Sequence, residues 1–174
     1  LAECPALEVL ETHGSWDAVL PDEGTQGLER LPNLRTLHLG SSELGDATIH
    51  RLRPLRCLQE LTLQEVGPLE DERCLEALTG LTELERLSIN ESVSAFRRDA
   101  WLSDDVLRYL APLRKLQSLK LHLRAGSGEG WRHLAGLTGL RFLQLNGSAV
   151  TDAGIAHLGT LRNLRTLVAQ PSSI

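Results

Sequence analysis

Residues Leu140 to Asn163 read LRFLQLNGSAVTDAGIAHLGTLRN. Leu140, Leu143 and Leu145 alternate as a half-buried strand does, and a small polar turn follows. From Asp152 onward the apolar residues stand three apart, at Ile155, Leu158 and Leu161. That half has helix character, with an aspartate placed to cap it. The pattern restarts at Leu164, so the stretch is one complete unit of 24 residues.

The rest of the chain lies on the same ruler. The first leucine of each unit is Leu7, Leu34, Leu58, Leu84, Leu116, Leu140 or Leu164. Three residues later stand Leu10, Leu37, Leu61, Leu87, Leu119, Leu143 and Leu167. Six residues before each anchor stand Leu1, Leu28, Leu52, Leu78, Leu110, Leu134 and Leu158. A fixed period of this length is the mark of a solenoid, in which one unit cannot bury its apolar face alone and stacked units bury a continuous core.

The L-x-x-L-x-L strand signature with a Leu-rich return segment resembles the leucine-rich repeat family. The unit length and the return from Thr151 to Leu158 resemble its bacterial and cysteine-containing subtypes. The resemblance implies an α/β solenoid over residues 1–174, a single domain. About seven parallel strands would line the concave face, with helical return segments on the convex face. It implies a recognition scaffold and is silent on what is bound.

Composition narrows the partners. The chain has 174 residues, 41% of them hydrophobic and 3% aromatic, so its core is aliphatic. Its net charge of −5 argues against nucleic acid and against an anionic membrane as the main partner. No apolar run approaches the length of a transmembrane helix. Cys4, Cys57 and Cys74 are odd in number and lack a Cys-x-x-Cys pair, which argues against a disulfide framework or a zinc site. Reduced, buried or half-buried thiols are expected, in a cytoplasmic setting. Arginine outnumbers lysine, an association with GC-rich bacteria.

Several features read as structural. Ser15, Ser42, Ser92, Ser148 and Ser172 recur eight residues after the anchor, where a small hydroxyl can serve the backbone of a buried turn. Asp46, Asp104 and Asp152 read as N-caps of the return segments. Gly128 takes that place in one unit, which predicts a short or irregular helix there. Trp131 falls in a core column with Ile49 and Ile155. The glycines of 126–130 lack the ending of a phosphate loop.

Candidate binding residues lie where strand alternation points side chains to solvent. The face varies from strand to strand, as a recognition surface does. Phe142 is the outlier, a large apolar residue among polar ones. With Val168, Lys120, His122, Gln144 and Asn146 it forms a patch with an aromatic centre and a polar rim, and Arg86 and His38 lie on the same face. The second candidate is the insertion of 91–105, in the unit that runs 32 residues from Leu84 to Leu116. It carries Phe96, Arg97, Arg98 and Trp101, residue types enriched at interfaces. Glu11, His38 and His13 fall close together, but no nucleophile or third fixed group converges on them, so a surface hydrogen bond is expected. No catalytic residue, metal site or cofactor is expected.

The sequence therefore predicts a non-catalytic protein-interaction module. The alternative is the substrate-recognition domain of a larger, ligase-type enzyme or effector. Leu1 and Ile174 both fall within units, and neither end shows a polar capping repeat. The segment is expected to belong to a longer chain, whose other regions are themselves candidate partners, or to have an end covered by a partner or by self-association.

Overall fold

The leucine columns become the rungs of one parallel sheet. The structure is a computed structural model, and it describes residues 4–12, 20–40, 42–66, 69–91, 102–123, 128–147 and 151–169. In chain order its strands are β1 (Val9–Thr12), β2 (Leu20–Pro21), β3 (Thr36–Leu39), β4 (Ser42–Glu43), β5 (Glu60–Val66), β6 (Arg86–Glu91), β7 (Ser118–His122), β8 (Phe142–Asn146) and β9 (Thr166–Val168). The main sheet has seven strands in the order β1-β3-β5-β6-β7-β8-β9. The short strands β2 and β4 pair separately, Leu20 with Ser42 and Pro21 with Glu43.

Register follows the sequence period. Leu10, Leu37, Leu61, Leu87, Leu119, Leu143 and Leu167 are consecutive cross-strand partners, as are Val9, Thr36, Glu60, Arg86, Ser118, Phe142 and Thr166. A slip of one residue would turn every buried leucine to water, so the leucines hold the register. The carbonyl after each anchor locks adjacent coils. Gln117 O accepts from the amides of Arg141 (2.8 Å) and Phe142 (3.0 Å), and Glu8, Arg35, Gln59, Glu85 and Arg141 repeat the arrangement.

Between the sheet and the return segments lies an aliphatic core. Leu34, Leu58, Leu84, Leu116 and Leu140 are fully buried, as are Leu55, Leu81, Leu113 and Leu137. Burial weakens in the outermost coils: Leu7, Leu10 and Leu164 are half-buried, and Leu167 is 39% exposed. Trp131 and Ile49 are buried as expected, but Ile155 is 41% exposed. Ile155 sits in the last described return segment, which the preceding coil covers from one side only.

The return segments differ from ordinary helices. Only α1 (Asp46–Arg51) and α2 (Asp152–His157) are α-helical among the described residues. The others are 3-10 turns, at Asp22–Thr25, Leu28–Arg30, Glu72–Gly80, Asp104–Leu110, Glu129–Leu134 and Leu158–Thr160. Apolar residues three apart suit three residues per turn, and the tighter turn brings each leucine back onto the core. The segment at Gly128 is a six-residue 3-10 turn, irregular as predicted.

The aspartates do not cap their own helices. Each is the first helical residue, and Gly45, Ser103 and Thr151 precede them as caps. Asp46 instead accepts from the amides of Glu70 (3.1 Å) and Asp71 (3.2 Å) in the next coil. Asp104 accepts from Gly128 (2.8 Å) and Gly130 (3.3 Å). Asp22 accepts from the amides of Gly45 and Thr48 and from the Thr48 hydroxyl, and Glu72 accepts from Ser103. The free amides at the start of one return segment are met by a carboxylate from the coil before it. Thr151 does cap α2, its hydroxyl accepting from Gly154 N at 3.0 Å.

Ser42 is the one member of the serine column within the described residues; Ser15, Ser92, Ser148 and Ser172 lie outside them. The cysteines are free. Cys4 and Cys57 are exposed rather than buried or half-buried: Cys57 lies in the tight turn ahead of β5, and Cys4 lies in the first coil, at the place where Leu55 and Leu81 are buried in inner coils. Cys74 is buried, and burial followed by the nearby Asp46 and Asp71 carboxylates pushes its thiol up to about 12. That thiol is inert as a nucleophile.

Candidate binding face

The solvent side of the main sheet carries three rows of side chains, set by the pleat. Its centre is hollowed into an open pocket of about 330 Å³, lined by residues of β3, β5, β6 and β7. His38, Arg86 and Lys120, all three singled out in the sequence, line it together with Glu60, Ser88 and Asn90.

A chain of ionisable groups crosses the first four strands of this face. Glu11 Oε1 lies 3.3 Å from His38 Nδ1. On the other side His38 Nε2 lies 3.3 Å from Glu60 Oε1, within ion-pair range but outside hydrogen-bond alignment. Glu60 Oε2 accepts from Arg86 Nη2 at 2.6 Å. The Arg86 hydrogen bond and charge, helped by His38, hold the Glu60 carboxyl below its ordinary range against the opposing effect of burial. Glu60 was missed in the sequence reading. The signal was present, since Glu60 and Arg86 share a row and the salt bridge follows from the register.

Beside the pocket lies the predicted patch. Phe142 is half-buried, and the Lys120 ammonium sits 5.3 Å from its ring centroid, a cation–π contact. Phe142 therefore neither stands free nor packs into the core. Lys120 belongs to both pocket and patch, and so joins them. Gln144 is half-buried and pairs in register with Lys120 on one side and Val168 on the other. His122 pairs with Asn146, and burial holds its imidazole below the ordinary value. Asn146 Oδ1 is buried without a hydrogen-bond partner among the described residues. Position 170, its counterpart in the next coil, lies outside them.

Phe96, Arg97, Arg98 and Trp101 of the insertion lie outside the described residues, as does His13. Among the described residues no group of three or more His, Cys, Asp or Glu side chains is placed to hold a metal ion. No described helix is long and apolar enough to cross a membrane.

No protein-family model and no curated protein matches the sequence. Solved structures do. An internalin (inlF) from Listeria monocytogenes aligns with a TM-score of 0.61 at 23% identity, over 81% of this chain and 36% of its own. The chain thus spans about a third of that protein's length. Internalin C2 from the same species gives 0.56 at 21% identity, over 97% of this chain and 83% of its own. The plant peptide hormone receptor RGFR1, solved in complex with RGF2, gives 0.65 at 17% identity, over 95% of this chain and 26% of its own. These neighbours are leucine-rich repeat proteins, and at such identities the likeness concerns the fold. Seven L-x-x-L strands in register, closed by short return segments over a leucine core, give this chain the leucine-rich repeat fold.

Proposed function

We propose that the chain is a non-catalytic protein-binding module that uses the open face of its main sheet. One observation carries the reading: the pocket gathers His38, Glu60, Arg86 and Lys120 from four successive coils and continues into the Phe142 patch. Four coils with four different side chains at one place make a surface that discriminates by shape and charge. Repetition of one residue along each row would instead suit a repetitive ligand. The fold neighbours support the reading, since the plant receptor was solved with a bound ligand.

The face has the anatomy of an interface, with an aromatic residue beside the pocket and charged and amide groups around it. It lacks the anatomy of an active site. The carboxylates and the histidine lie against each other, and among the described residues no hydroxyl of the pocket, Thr62, Ser88 or Ser118, is hydrogen-bonded to His38.

Site-specific photo-crosslinking tests the assignment. A photoreactive residue replaces either Gln144 on the open face or Arg132 on a return segment. The reading predicts discrete protein adducts from position 144 that are absent from position 132. Adducts confined to position 132, or equal at both, would overturn it.

A further inference from the structure

Among the described residues, one cation of the pocket on the open face has no carboxylate partner. Arg86 is neutralised by Glu60 at 2.6 Å. Lys120 is exposed, and among the described residues no carboxylate forms an ion pair with it. Its ammonium rests instead over the Phe142 ring, 5.3 Å from the centroid. A cation–π contact places the charge without cancelling it. The neighbouring walls are uncharged hydrogen-bonding groups, chiefly Thr62, Ser88, Asn90 and Ser118. Counting Lys, Arg, Asp and Glu, the lining carries a surplus of one positive charge, on a chain whose net charge is −5.

A single local surplus on an acidic chain selects a small anion attached to something otherwise compatible with the surface. A polyanion would be repelled by the rest of the molecule. A doubly charged phosphate would exceed the surplus and meet the Glu60 carboxylate in the same pocket. One carboxylate matches it, and Ser88, Asn90 and Ser118 offer it hydrogen-bond donors. The Phe142 ring beside Lys120, with Val168 one strand further along the sheet, then calls for an apolar side chain next to that carboxylate. An extended segment places residues i and i+2 on one side about 6.7 Å apart. The Lys120 ammonium and the Phe142 ring lie 5.3 Å apart, a distance that two side chains on one side of such a segment can span.

We infer that the pocket receives an Asp or Glu side chain from an extended peptide segment of the partner. An apolar side chain two residues away seats on the Phe142–Val168 patch. This rests on the protein-binding reading above and specifies the partner's chemistry.

The test is selection of a random 12-residue peptide display library on the whole chain, repeated on Lys120→Gln, Lys120→Glu and Phe142→Ala. Circular dichroism checks that each variant is folded. The expected result is enrichment of Asp or Glu two residues from Leu, Ile, Val, Phe or Trp. A representative peptide should lose about tenfold or more in affinity on Lys120→Gln, the scale of a charge-assisted hydrogen bond. Lys120→Glu should select Lys or Arg in place of the acid. Enriched peptides that need Phe142 but show neither an acidic residue nor dependence on Lys120 would overturn this inference and leave the binding face standing. Peptides indifferent to both residues would overturn both. No enrichment at all would overturn the acidic-segment inference.

Discussion

The Asp104 carboxylate lies 2.8 Å from the Gly128 amide nitrogen, a residue 24 positions further along and one coil away. Asp104 is only 7% exposed, and the same Oδ2 also accepts from Gly130 at 3.3 Å. One side chain thus satisfies the start of the next return segment.

Asp104→Ala strands two buried amides. A loss of about 3 kcal/mol is expected, since each unsatisfied buried donor costs roughly 1–3 kcal/mol. Asp104→Asn keeps an acceptor and should cost about 1 kcal/mol. Urea unfolding of the two variants checks this. Equal losses would mean that the charge, and not the hydrogen bonds, stabilises the junction.

Trp131 is fully buried where other coils place a smaller residue, and there is room for it because Gly154 follows. A Cβ at Gly154 would lie 3.3 Å from Trp131 Cε3. Trp131→Ala should cost about 3–5 kcal/mol through the cavity it leaves. Gly154→Leu should cost about 1–3 kcal/mol by overpacking. Combining Gly154→Leu with Trp131→Ala should recover part of the loss, a non-additivity read from a double-mutant cycle.

Gly147 closes β8 with φ of +79°, and a Cβ there would sit 1.8 Å from the Leu123 carbonyl oxygen. Backbone cannot move aside as a side-chain tip can. Gly147→Ala should therefore cost more than the roughly 1–2 kcal/mol of a left-handed conformation alone. Thermal unfolding measures it, and a loss under about 1 kcal/mol would show that the coil relaxes there.

Stability should fall on the acid side in two stages. Burial depresses the His122 pKa, so the unfolded chain binds the proton more tightly. The contribution of His122 is present above its ordinary value near 6.5 and is lost as pH falls through the lower folded value. For Asp22, burial pushes the carboxyl up. Hydrogen bonds from Thr48 and Gly45 and the charge of Arg51 outweigh it, leaving the pKa lowered. For Glu60, hydrogen bonding to Arg86 dominates and the pKa is again lowered. These two contributions are full above the ordinary carboxylate values near 4 and disappear as pH falls through the folded ones. Urea midpoints across pH 7 to 3 should show both limbs. His122→Gln should flatten the upper limb and Asp22→Asn the lower.

The fold was legible because its decisive residues are local and repeated. Leu119 and Leu143 must be cross-strand partners once both occupy the same column of 24-residue units, and they are. The return segments were less legible. Leu75 and Leu78 stand three apart within the 3-10 segment Glu72–Gly80, but spacings of three also occur in α-helices. The work of Asp46 and Asp104 was hidden for another reason. A first-turn aspartate has a local reading, while its actual partners lie about one repeat away and exist only after stacking. At the face, Phe142 stood out by its type, and its contact with Lys120 follows from adjacent rows. Glu60 escaped notice because a glutamate on an exposed strand face is unremarkable until Arg86 and His38 are placed on either side.

On the proposed function, Phe142 and Lys120 serve recognition rather than folding. The most direct test is to measure melting temperature and affinity together on Phe142→Ala, with a peptide selected on the unaltered chain as probe. Phe142 is half-buried on the solvent side of the sheet, so a loss of about 1 kcal/mol or less of stability is expected, with affinity reduced about tenfold or more. A large fall in melting temperature with affinity unchanged would contradict the account and make Phe142 a packing residue.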